Sequence, residues 1–236
     1  MKSRNNKNNI LPKLLIILIS NCYLSTKAQN NFEISKTWEV QNHEVVDITI
    51  KNDQLLLLTS NNEIMQLDTV DNYIKYLFIL KKSSKLTGLT SINNDFYFID
   101  DKGNITKNDN NGTFKQFRIP KNYHTEFLAA NDSLFFTCLL NNNGLSYSNR
   151  IVSINKSGND TIFAYIQGSP VGICIKEGYL WYLARQGIII MYDIKSKEWT
   201  QIGELPISNV FGLALIEDLL FTYDLNTKQI IKIKIK

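Results

Sequence analysis

The chain is poor in the residues that most often carry chemistry: among 236 residues there are two histidines, His43 and His124, and three cysteines, Cys22, Cys138 and Cys174. It has no CxxC, HExxH, P-loop or GxGxxG pattern, so the common zinc, redox and nucleotide sites lack their sequence marks. Gly144-Leu145-Ser146 is not a nucleophile elbow, because the second glycine is missing. No apolar run approaches the ~20 residues that span a bilayer, so no transmembrane segment is expected. A basic surface is missing as well. The formal net charge is +4, but five of the 26 basic residues and none of the 22 acidic ones fall within residues 1–28. The remainder carries one net negative charge, which gives no electrostatic footprint for nucleic acid.

What those first 28 residues do contain is a basic start (Lys2, Arg4, Lys7, Lys13), an apolar run from Leu14 to Ile19, and small or polar residues up to Ala28. That order matches the three regions of a secretory signal peptide, with cleavage expected before Gln29. An alternative places lipidation on Cys22, which follows Ile19-Ser20-Asn21, although Asn21 stands where such signals carry Gly, Ala or Ser. The expected division is a signal at 1–28 and one domain at 29–236, exported to the periplasm or secreted. Cys138 and Cys174 lie in apolar strand patterns, where buried thiols are expected ahead of a disulfide.

The domain repeats itself. Aligned at Asp47, Gly88, Phe127, Gly172 and Gly212, five copies read VDITIKNDQLLLL, TGLTSINNDFYFI, EFLAANDSLFFTC, VGICIKEGYLWYL and FGLALIEDLLFTY, and the anchors are spaced 41, 39, 45 and 40 residues apart. In every copy the second strand opens eight residues after the anchor, at Leu55, Phe96, Phe135, Leu180 and Leu220. Third strands begin near Ile64, Ile105, Ile151, Ile189 and Ile230 after turns rich in Asn and Gly, which supply positive φ. A period near 40 with several short strands per period predicts an all-β propeller of five four-stranded blades. Six blades, or a β-sandwich with no reason to repeat, are the alternatives.

Copy five has no room for a fourth strand before Lys236, whereas Phe32, Ile34, Trp38 and Val40 alternate with polar residues ahead of copy one. This N-terminal strand is expected to pair with the C-terminal one and close the ring, removing two sheet edges.

The sequence Asp101-Lys102-Gly103-Asn104-Ile105, following a small residue, an apolar strand, a polar turn and an aromatic-aliphatic strand, resembles the repeats of NHL and gluconolactonase-like β-propellers. The resemblance implies a propeller fold and, for the gluconolactonase-like members, a divalent metal held in the central channel. The residues of that metal site have no counterparts assigned here.

If the anchors open the innermost strands, the preceding loops and the turns between second and third strands share one rim of the ring. The ligand-binding candidates there are His43, Asp47, Asp101, Tyr123, His124, Glu126, Tyr147 and Arg185. His43 and His124, backed by Asp47 and Glu126, are the weak candidates for a divalent metal; otherwise no cofactor is expected. A longer loop in copy three, Asn141 to Asn149, carries Leu145 and Tyr147 as possible partner contacts. The leading expectation is a monomeric, non-enzymatic binding protein that presents its rim to a protein, peptide or glycan. A metal-assisted hydrolase or lyase is the second reading, and a sensor-type propeller the third.

Overall fold

The computed structural model describes residues 32–236 except 41, 81–83, 94, 108–112, 117–118, 121, 144–148, 156–158 and 167, with backbone alone for 113–116. The proposed signal segment, Cys22, Leu145 and Tyr147 lie outside the described residues. All regular structure among those described is β-strand.

Five antiparallel four-stranded sheets form the blades. Blade one holds β2 (Val45–Lys51), β3 (Gln54–Thr59), β4 (Glu63–Asp68) and β5 (Tyr73–Ile79). Blade two holds β6 (Leu86–Ile92), β7 (Asp95–Asp100), β8 (Asn104–Lys107) and β9 (Thr113–Gln116), and blade three β10 (Tyr123–Ala130), β11 (Leu134–Asn141), β12 (Arg150–Asn155) and β13 (Asp160–Tyr165). Blade four runs through β14 (Pro170–Lys176), β15 (Tyr179–Ala184), β16 (Ile188–Asp193) and β17 (Trp199–Glu204). Blade five takes β18 (Val210–Ile216), β19 (Leu219–Asp224) and β20 (Gln229–Ile235) from one end of the chain and β1 (Phe32–Glu39) from the other. The ring therefore closes as the alternation around Phe32 to Val40 predicts. Phe32 faces Ile235 and Glu39 faces Gln229, with one irregularity at Ser35.

The second strand of each blade is nearly continuous in apolar residues because neighbouring blades cover both of its faces. In β3, Leu55 and Leu57 pack toward blade five with Trp38, Phe221 and Tyr223. Leu56 and Leu58 point the opposite way, into Leu86, Leu89, Phe96 and Phe98 of blade two. A period-2 strand buried on both sides needs no polar face, and successive side chains join different cores.

At the glycine anchors the inner strands come so close that a side chain has no room. A β-carbon on Gly172 would lie 2.5 Å from the carbonyl carbon of Gly212, and one on Gly88 2.5 Å from the backbone nitrogen of Leu128. These glycines are repeat anchors, so the anchor is the point of closest approach between blades. Each inner strand also carries a register irregularity there, between Val45 and Asp47, Leu86 and Gly88, Glu126 and Leu128, Pro170 and Gly172, and Phe211 and Ala214. The bulge bends each inner strand and frees backbone groups from the ladder. Phe127 sits at that bulge with φ 62°, a region that a bulky residue rarely adopts, and is held there by full burial and a ring contact with Phe211 at 5.1 Å.

Candidate functional site

The rim expected from the repeat is built by one recurring hydrogen bond. The residue after the second strand donates its N–H to a carbonyl of the loop entering the same blade: Ser60 to Glu44, Asp101 to Lys85, Asn142 to Asn122, Arg185 to Ser169 and Leu225 to Asn209. Entry loops and second-turn residues thus share one end of the ring in all five blades. Asp100 supports its turn by accepting from the N–H groups of Lys102 and Asn104, and Asp224 does the same for Asn226.

On this rim His124 gathers two other candidates, Glu126 of its own strand and Asp101 of blade two. His124 Nδ1 lies 2.5 Å from Asn142 Oδ1, and its Nε2 lies 3.2 Å from Glu126 Oε1. The hydrogen bond to Glu126 raises the imidazole above its ordinary value, opposed by partial burial, and the Asn142 bond and the charges of Glu126 and exposed Asp101 add to the rise. Next to His124 in the chain, the Tyr123 ring carries the Arg150 guanidinium at 4.5 Å. The Arg150 Nε is buried, with no hydrogen-bond acceptor among the described residues. Sequence reading passed over Arg150 because it opens a third strand; the register alone brings it to the rim end of β12.

His43 stands apart from this cluster, at the seam of blades five and one. Its Nδ1 is 2.8 Å from Glu63 Oε2, and Glu63 is also held by the Thr59 hydroxyl at 3.2 Å. Neither of His124's two bonds nor His43's links the two histidines. Arg185 is exposed on the turn of blade four. Among the described residues no three His, Cys, Asp or Glu side chains gather at a point where they could hold a metal ion.

Asp47, expected on the rim, is fully buried at the axis. Its Oδ1 accepts from the Ile48 N–H at 2.9 Å, while Oδ2 accepts from Leu89 of blade two at 2.8 Å and Leu128 of blade three at 3.4 Å. One carboxylate thus satisfies N–H groups in three inner strands at their bulges. Desolvation pushes its pKa well above the ordinary carboxylate range, outweighing the three N–H donors. Cys138 and Cys174 are free thiols, both raised by burial, which makes them poor nucleophiles at neutral pH.

Besides these clusters, two surface hollows stand out. One opens at the far mouth of the axis, about 230 Å³, between Ile50, Ser91, Ala130 and Ile175. The other is a groove of about 490 Å³ along the outer strands of blades three and four, with Tyr165, Tyr192 and Trp199 on its walls. No described helix is long and apolar enough to cross a membrane.

No protein-family model matches the chain, and no curated protein matches it by sequence. Solved structures do. A structural genomics protein of unknown function from Bacteroides thetaiotaomicron VPI-5482 superposes with a TM-score of 0.59 at 13% identity, covering 80% of this chain and 58% of that one. A chain of the nidogen/laminin complex superposes with a TM-score of 0.54 at 9% identity, covering 81% and 76%. The chain therefore spans little more than half the length of the first of these. At such identities the likeness carries the propeller fold and not membership of the NHL or gluconolactonase-like family.

Proposed function

We propose that the chain is an exported, non-enzymatic binding module that takes a macromolecular partner on its loop-rich rim, with a protein or peptide favoured over a glycan there. The observation that carries this reading is the patch at the blade two and three seam. There Tyr123 stacks under Arg150, and His124, the next residue of the same strand, turns to the other face and bonds Glu126 and Asn142. Tyrosine and arginine are among the side chains that most often dominate protein interfaces, and a guanidinium stacked on an aromatic ring can still donate its terminal N–H groups to a partner's carbonyl or carboxylate. One neighbour in fold comes from a complex of two proteins, nidogen and laminin, which is in keeping with a protein partner. Closure of the axis by Asp47 and the anchor glycines leaves the surface for recognition.

The test is cross-linking of the exported protein in its native culture, followed by binding measurements with whatever partner is recovered. A partner bound by the wild type and weakened at least about tenfold by Tyr123→Ala with Arg150→Ala supports the reading. A partner bound equally by wild type and double variant refutes the assignment to this rim. Intact mass of the exported chain tests the export reading: a start at Gln29 is expected, and a lipid on Cys22 or retention of residues 1–28 would contradict it.

A further inference from the structure

The groove between blades three and four has a chemistry different from that of the rim. On blade four its wall is one face of the sheet, read across the strands. Tyr182 of β15 faces Ile190 of β16, which faces Gln201 of β17, and Tyr192 faces Trp199. On blade three the wall is formed by Ile151, Ala164 and Tyr165. Trp199 and Tyr165 are 67% and 71% exposed, although large aromatic rings are usually covered. The Tyr192 ring is fixed against Phe163, centroids 5.0 Å apart, so the platform is rigid before any ligand arrives.

Three further features narrow the ligand. Among the described residues, none that lines the groove carries a charge, in a chain of which 20% is charged. The groove at the seam of blades five and one, by contrast, is lined by Lys36, Glu39 and His43. An ionic ligand would find no counter-charge between blades three and four, so the complementary ligand is neutral. Second, Gln186 and Gln201 set amides along the groove, each able to donate and accept. Third, Tyr182 lines the groove while only 7% exposed, so a ligand there meets its hydroxyl with little water around the side chain. Burial has pushed that phenol up to about 12, so it stays a neutral donor. A purely apolar ligand would leave this hydroxyl and the two amides desolvated and unpaired, at a cost.

We propose that this groove binds a neutral sugar ring of an uncharged glycan, its C–H face lying on the exposed aromatic rings of Trp199 and Tyr165 and its hydroxyls bonded to Gln186, Gln201 and Tyr182. The volume of about 490 Å³ holds one or two pyranose units. The groove reaches the rim at Gly168 and Gln186 but shares no lining residue with the Tyr123, Arg150 and His124 patch, and the proposal is independent of the reading given for that patch.

The test is saturation-transfer NMR and titration of the purified chain with glucose, galactose, mannose, N-acetylglucosamine and their disaccharides, with glucuronate as the charged control. Saturable binding of at least one neutral sugar is expected, with glucuronate bound more weakly. Trp199→Ala should weaken that binding at least about tenfold, and Tyr182→Phe several-fold, both with an unchanged melting temperature. Tyr123→Ala with Arg150→Ala should leave sugar binding intact, which separates this site from the rim patch. No binding across the panel, binding that survives Trp199→Ala undiminished, or preferential binding of an alkyl glycol or an extended peptide to the groove would overturn the proposal.

Discussion

The axis and the outer strands of this ring obey opposite rules. At the axis the inner strands leave no room for a β-carbon at Gly88 or Gly172, and a single carboxylate, Asp47, bonds N–H groups of three blades. On the outer strands, Tyr73, Tyr76, Tyr165 and Trp199 stand half exposed or more. Three of the five anchors where blades converge are thus glycines, while exposed aromatic rings stand on the outer strands, where blades diverge. Wedge-shaped blades demand this, because the gap between neighbours widens with radius. A closed hub fixes the blades, and the two sites proposed above lie on the rim and along the outer strands.

The sharpest way to break this contrast is to compare two tryptophans. Trp38 is 6% exposed in the closing strand and contacts the Phe221 ring at 6.3 Å. Trp38→Ala should cost roughly 3–5 kcal/mol in urea denaturation, while Trp199→Ala should stay within about 0.5 kcal/mol of wild type. Equal losses would mean that the outer strand is as structural as the closing one.

Two glycines offer the next comparison. Gly172→Ala drives a β-carbon into the backbone of blade five and should destabilise by about 3 kcal/mol. Gly178, in a hairpin with φ 83°, meets nothing within 4 Å, so Gly178→Ala should cost only about 1 kcal/mol from its conformation.

Asp47→Ala should cost about 1–3 kcal/mol by orphaning the buried N–H groups of Leu89 and Leu128. It also has a pH signature. Because the folded-state pKa of Asp47 is raised, the native protein holds a proton that the unfolded chain has lost at any pH between about 3.9 and the raised value. Stability therefore falls as pH rises through that window, and Asp47→Ala should flatten that slope in denaturation curves taken from pH 4 upward.

The smallest effect belongs to His124. Its raised pKa contributes stability that is fully present below about pH 6.5 and is lost as pH rises through the folded value. The side chain is a third exposed, so solvent screening keeps the term small. His124→Ala should remove a shallow decline in melting temperature above neutrality; an unchanged profile would remove the Glu126 contact from the account.

The ring was legible in the chain because its strands are buried on both faces and its turns are short. Leu55, Phe96, Phe135, Leu180 and Leu220 each fall one residue inside an observed second strand, and Phe32 to Glu39 closes the ring as its alternation suggests. Asp47 was legible as an anchor but not as a buried one. An acid standing where the other copies have glycine or phenylalanine was the available signal, and the N–H groups it satisfies lie 42 and 81 residues away. The aromatic groove was hidden for a related reason. Tyr165 belongs to blade three and Tyr182, Tyr192 and Trp199 to blade four, and only the cross-strand register puts the last three on one face toward the first.

Residue-resolved hydrogen exchange on the folded chain tests the closed hub most directly. The Leu89 and Leu128 amides, bonded to Asp47 at the axis, should exchange only through global unfolding, orders of magnitude more slowly than amides of β13 and β17. If those two amides exchange as fast as the outer strands, the axis is open to water and the carboxylate staple does not hold the ring.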